Sequence, residues 1–275
     1  MTLFEMKKTQ NQLRDRPALR FAGIASLETH MFRTWKTYDL DKQHLKKIQK
    51  VEKQNREFSF IYFDNERVEN YMSQFWGNHA IYEIFLNAKF WVNKIDIWRL
   101  CVVHQMGGGY LDIDSHIPGK LREIVVENSE RFSFEKNSLD RYLLDMSFPT
   151  SQYLEKFREV IAKCGVNSNH PVLNWCFFAK KGHPVIGLAI EEIVRNADFF
   201  YGRNFENTKL VILHFTSPPV LTVAVWRYIL EGGKISIEDF DFGGRAQFKD
   251  VPKKGKYESA KHYSSVKKGA ILSSK

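Results

Sequence analysis

Two hydrophobic periods alternate along the chain. Phe58-Ser-Phe-Ile-Tyr-Phe63 is the aromatic, β-branched run that a buried strand requires. Asp64-Asn65 follows as a turn or helix cap, and helical spacing continues to Ala88. A further helix is predicted from Asn93, as N-cap, to about Met106. Gly107-Gly-Gly109 stops it, since glycine enters left-handed backbone geometry without steric cost. Tyr110 to Asp114 then reads as a strand, with Leu111 and Ile113 on one face and Asp112 and Asp114 on the other. Later segments repeat the alternation: a strand over Leu173–Ala179, a helix over His183–Asn196, a strand over Lys209–Phe215 and a helix over Pro219–Leu230. Strands alternating with helices predict an α/β fold with parallel character, whose ligands gather at the carboxyl ends of the strands.

Length and composition narrow the class. The chain has 275 residues, 43% of them hydrophobic and 14% aromatic, enough to offset the ordering entropy of a core and to exclude a disordered chain. Its three cysteines, Cys101, Cys164 and Cys176, are widely spaced and form no CxxC pair, so neither a disulfide scaffold nor a cysteine zinc site is expected. The opening residues carry charges where a secretory signal needs an apolar stretch, and the apolar run from Pro218 to Tyr228 is short for a bilayer and holds Arg227. A reduced, cytoplasmic protein is the expectation. The net charge of +9 is uneven, because residues 251–275 hold seven lysines against Glu258. One domain over 1–250 is therefore expected, followed by a basic tail over 251–275 suited to anionic membrane, a phosphorylated ligand or nucleic acid, or serving only as a solubilising end.

Three Asp-x-Asp pairs occur, and context separates them. Asp39-Leu-Asp41 opens a lysine-rich helical stretch, where acids suit the helix N-terminus. Asp239-Phe-Asp241 lies between glycine pairs and reads as a loop. Asp112-Ile-Asp114 closes an apolar strand directly after the glycine turn. Two carboxylates so close repel each other, and a divalent cation removes that penalty. Oxygen ligands suit Mg²⁺ or Mn²⁺, and an incomplete set leaves room for a substrate diphosphate. Asp96 and Arg99, three apart on the preceding helix, share a face that the glycine turn brings back toward the pair. A solvated Asp96–Arg99 salt bridge is the alternative for those two residues considered alone.

The stretch from Asn93 to Asp114, with an Asp, an Arg three later, a Gly-Gly-x-Tyr turn and the acidic pair in order, resembles the sugar-nucleotide region of the DXD glycosyltransferases of family 32, a unit shared with the glucosylating clostridial toxins. Arg33-Thr-Trp-Lys-Thr37 is similar to the family's Gln-Thr-Trp-Lys-Thr, with Arg33 in place of Gln. Phe63-Asp-Asn-Glu66 stands at its aromatic-Asp-Asp turn, and Asn174 through Gly182-His-Pro184 resembles a later segment. Thr216-Ser-Pro218 replaces Thr-Gly-Pro, which strains the backbone if the middle position needs positive φ.

The resemblance implies a GT-A fold, a Rossmann-like nucleotide-binding sheet flanked by helices. It implies a metal-dependent, retaining transfer from a nucleoside-diphosphate sugar, UDP foremost, with Mn²⁺ or Mg²⁺. Asp112, Asp114, Arg99 and Asp96 would be catalytic. Trp35, Asp96, Arg99, Tyr110, Asp112, Asn174 and Ser265 would contact the donor, with the indole of Trp35 near the base. Asp112, Asp114 and His262 would hold the metal, His262 lying in the basic tail that would close over the donor. Val266 stands where relatives place a tryptophan. A glycan or lipid-linked acceptor in surface polysaccharide or lipopolysaccharide synthesis is the leading expectation, with peripheral contact to the inner membrane face. A toxin-like enzyme modifying a host protein and a basic nucleic-acid-binding module without catalysis are the alternatives.

Overall fold

The computed structural model describes residues 5–8, 29–125, 130–248 and 266–274. Its centre is a four-stranded sheet made of β1 (His30–Thr34), β2 (Ser59–Phe63), β3 (Gly108–Leu111) and β4 (Cys176–Ala179), in the order β2-β1-β3-β4. β1 runs parallel to β2 and β3, while β4 is antiparallel to β3. The expected α/β class with a parallel-dominated sheet is the one observed.

Strand alternation divides the core into two layers. Met31, Phe60, Tyr62, Leu111, Cys176 and Phe178 face the layer under α1 (Lys42–Gln54), which supplies Leu45, Ile48 and Val51. Phe32, Ile61, Phe63, Tyr110 and Phe177 face a larger helical layer. That layer contains α2 (Asn65–Trp76), α3 (Ala80–Asn87), α4 (Trp91–Met106), α5 (Pro149–Lys163), α6 (Pro184–Phe200), α7 (Thr208–Thr216) and α8 (Pro218–Leu230). Asp64 caps α2, its side chain accepting from the Arg67 amide, and Asp41 accepts from Gln43 N at 2.8 Å beside α1. The third Asp-x-Asp pair forms a turn in which Asp241 and Phe242 take φ of 52° and 57°.

Three elements depart from the sequence-based expectations. α4 begins at Trp91, so Asn93 lies inside the helix; its buried amide donates to Thr216 Oγ1 at 2.8 Å and Ile212 O at 3.2 Å instead of capping. β3 ends at Leu111, and the following residues form a turn closed by Ser115 N to Asp112 O at 3.1 Å. Residues 209–215 are helical, not extended. A short apolar run does not distinguish a buried strand from a buried helix, and the Asn207 side chain, accepting from Leu210 N at 3.2 Å, starts a helix here.

α7 and α8 together, Thr208–Leu230, are long and apolar enough to cross a membrane by composition, but 83% of their most apolar window is buried within the domain. Of the tail expected over 251–275, residues 251–265 and 275 lie outside the described residues. Residues 266–274 are packed, not appended. Ile271 and Leu272 are fully buried, Lys89 N donates to Ile271 O and Ser273 N to Asn87 O, each at 3.0 Å.

Candidate active site

The triple glycine sets the position of the acidic pair. Gly107 and Gly108 take φ of 72° and 95°, reversing the chain from α4 into β3. Gly109 sits so close to β4 that a Cβ there would lie 2.4 Å from the Phe178 ring and 2.7 Å from Met31 Sδ. The reversal places Tyr110 and Asp112 beside Arg99, two turns into α4.

Arg99 is the hub. Its Nη2 lies 3.1 Å from Asp96 Oδ1 and 3.3 Å from Asp112 Oδ1, its Nη1 donates to Asn174 O at 2.8 Å, and its guanidinium stacks 4.3 Å from the Tyr110 ring centre. Tyr110 donates its hydroxyl to Asp112 Oδ1. The Asp96–Arg99 pair is therefore buried within a network and is not a solvated surface bridge.

Asp96 is 1% exposed, and donors converge on it. Thr216 Oγ1 donates to Oδ2 at 2.9 Å, Ser217 Oγ donates to the same oxygen, and Asn174 Nδ2 lies 3.4 Å from Oδ1. Burial pushes its carboxyl up to about 6, against the pull of Arg99 and the two hydroxyls, so it is ionised above that pH. Asp96 reaches a ligand only if one of these donors yields, and the long Asn174 bond is the weakest. Ser217 has φ of −103°, so the Thr-Ser-Pro segment carries no strain, and the serine adds a bond that glycine lacks.

Arg99 keeps its charge: burial opposes it, but Tyr110, Asp112, Asp96 and Asp114 outweigh that and raise its pKa. The Asp114 carboxyl is pushed up to about 7 by burial and then by the charge of Asp112. That repulsion is the one a divalent cation would relieve, and the donor set is all oxygen, so the pair fits Mg²⁺ or Mn²⁺. Among the described residues no group of three or more His, Cys, Asp or Glu stands together as a metal cage. His262 and Ser265 lie outside the described residues.

These groups open on a cleft of about 510 Å³ lined by Trp35, Asn65, Trp91, Arg99, Tyr110, Asp112 and Asp114 among others. Trp35 is half-buried and leaves β1 with its backbone N donating to Phe63 O at 3.1 Å. Trp91, 39% exposed, also lines the cleft and is not among the residues the sequence singles out. Its spacing is the signal: Trp91, Ile95 and Arg99 follow at i, i+4 and i+8 on one helical face. A separate hollow of about 520 Å³ is lined by Glu191, Tyr228 and Glu231, away from this network, with both acids paired to Arg227.

Residues 41–131 match the glycosyltransferase sugar-binding region containing the DXD motif. The matched stretch, about a third of the chain, begins at α1, extends past the acidic turn and includes Asp96, Arg99, Asp112 and Asp114. No curated protein matches the chain. Among solved structures, the PaToxG glycosyltransferase is 14% identical, with a TM-score of 0.47 over 82% of this chain and 78% of that one. The ligand-free glycosyltransferase domain from the YGT toxin is also 14% identical, with a TM-score of 0.34 over 66% of this chain and 52% of that one. The chain thus spans about half the length of the latter.

Proposed function

We propose that the protein is a metal-dependent, retaining glycosyltransferase of GT-A type that takes a sugar from a nucleoside diphosphate, UDP foremost, and passes it to a glycan or lipid-linked acceptor. The observation that carries this is the Asp96–Arg99–Asp112 network opening on a cleft with Asp114 and an indole, inside the DXD region.

Asp112 and Asp114 would hold the cation. When bound, it supplies positive charge to the diphosphate as the sugar–phosphate bond breaks, the differential stabilisation that catalysis requires. Trp35 offers its indole face to the base. Arg99, fixed by Asn174 O and two carboxylates, presents the rest of its planar fork to donor hydroxyls. Asp96 orients Arg99 and offers Oδ1 to a hydroxyl in place of the Asn174 amide. Trp91, Val92 and Ile95 give the cleft an apolar wall beside these groups, suited to the carbon face of an acceptor sugar. The lysines near the C-terminus support peripheral contact with the anionic inner face of a membrane, where a surface polysaccharide or lipopolysaccharide acceptor is reached.

The test is donor hydrolysis and transfer with a panel of UDP- and GDP-sugars, with Mn²⁺ and with chelator. Turnover should require both the metal and Asp114, and full activity of Asp114→Ala would overturn the metal assignment. Transfer to a protein acceptor alone would redirect the enzyme toward host-protein modification. Salt-sensitive binding to random RNA or DNA without nucleotide-sugar binding would replace catalysis with a nucleic-acid role.

A further inference from the structure

We propose that Arg33 is a positioning residue that clamps the acidic turn from beneath, holding Asp112 and Asp114 in their paired arrangement before any ligand arrives. The proposal rests on the reading of that pair as the diphosphate site.

Arginine is almost never fully buried, yet Arg33 has no exposed surface. It lies in β1 between Phe32, which faces the large helical layer, and Thr34 at the cleft. Strand alternation therefore directs Arg33, like Met31, into the layer under α1, where its guanidinium lies 5.9 Å from the Tyr62 ring centre. There it meets no carboxylate at bonding distance among the described residues. Its Nη2 donates instead to Asp112 O at 3.1 Å and Ile113 O at 2.9 Å, while Nε and Nη1 have no hydrogen-bond partner among the described residues.

Such a placement is costly. Unsatisfied buried N–H groups and an unpaired charge both oppose folding, and an apolar side chain of similar volume would suit this layer better. What the arginine contributes is specific to the turn. Asp112 O also accepts from Ser115 N, so one carbonyl closes the turn and the same carbonyl is gripped by Arg33. Asp112 and Asp114 stand at the first and third positions of that turn, and the second carbonyl held, that of Ile113, lies between them. The pair is thus preorganised from a side that no ligand reaches.

Amide hydrogen exchange on the ligand-free protein tests the clamp directly. In Arg33→Met the Ser115 amide should exchange about tenfold faster, as expected for loss of a charged hydrogen-bonding brace. In Phe60→Leu, a core change in the same layer, Ser115 exchange should follow only the global loss of stability. If Arg33→Met does not fold, Arg33→Lys, which keeps the charge and loses the two-carbonyl grip, should give the same local acceleration. Calorimetry of UDP with Mn²⁺ should show about tenfold weaker binding for the Arg33 variants and unchanged binding for Phe60→Leu. Unchanged Ser115 exchange in the Arg33 variants, or equal loss of UDP binding in Phe60→Leu, would overturn the proposal. Wild-type protein that binds no nucleotide sugar or UDP would overturn the function reading instead, and the exchange result would still decide the clamp.

Discussion

At the scale of single residues, the site is governed by where charge is buried. Arg99 joins Asp96 and Asp112, and lysine would keep the charge but could not span Asn174 O and both carboxylates. Arg99→Lys should therefore lower kcat/KM about 100-fold, with the loss larger than any change in melting temperature. Asp96 makes a pH prediction. Its carboxyl titrates near 6 in the folded protein, above its ordinary value, so the unfolded chain loses this proton first. Its ionisation accordingly removes stability as pH rises from about 4 through 6, and no more is lost above. Thermal denaturation of Asp96→Asn should show a flatter pH dependence across that window than the wild type, whatever its absolute melting temperature. Trp35→Ala should weaken UDP binding about 10- to 100-fold if the indole stacks on the base, measured by calorimetry.

Elements decide whether those residues meet. The pattern from α4 through the glycines to the acidic pair was legible because each feature has a local cause. Glycines terminate a helix, and an apolar strand pattern then precedes the carboxylates. Gly109 carries a further requirement, close approach of β3 to β4 at Phe178. Gly109→Ala should cost about 1–3 kcal/mol in chemical denaturation and loosen the acidic turn with it. The end of β3 was less legible. Leu111 and Ile113 are buried and Asp112 and Asp114 half-buried, as alternation predicts, but a turn produces that pattern here, not a strand. The helix over 208–216 contains the segment 209–215 that the sequence reading gives as a strand, because its apolar run, Leu210 to Leu213, is too short to show a helical period. Its consequence is functional, since it ends at Thr216, which donates to Asp96.

Across the whole molecule, the last described residues belong to the same core as the site. Leu272 is fully buried and bridges to Ala88 and Tyr201, next to the start of α4. Leu272→Ala should cost about 2–5 kcal/mol, read by denaturant unfolding, because the site is enclosed and leaves a cavity. Local chemistry was readable one segment at a time: the α/β alternation, the glycine stop, the carboxylate pair and the Asp96–Arg99 spacing all follow from backbone sterics and side-chain period within about 20 residues. Long-range assembly was not. That Arg33 lies beneath Asp112, that Ser217 donates to Asp96 across 121 positions, and that Trp91 shares a cleft with Trp35 are outcomes of packing. No local period encodes which distant donor will satisfy a buried carboxylate, because that partner is selected only when the layers close over it.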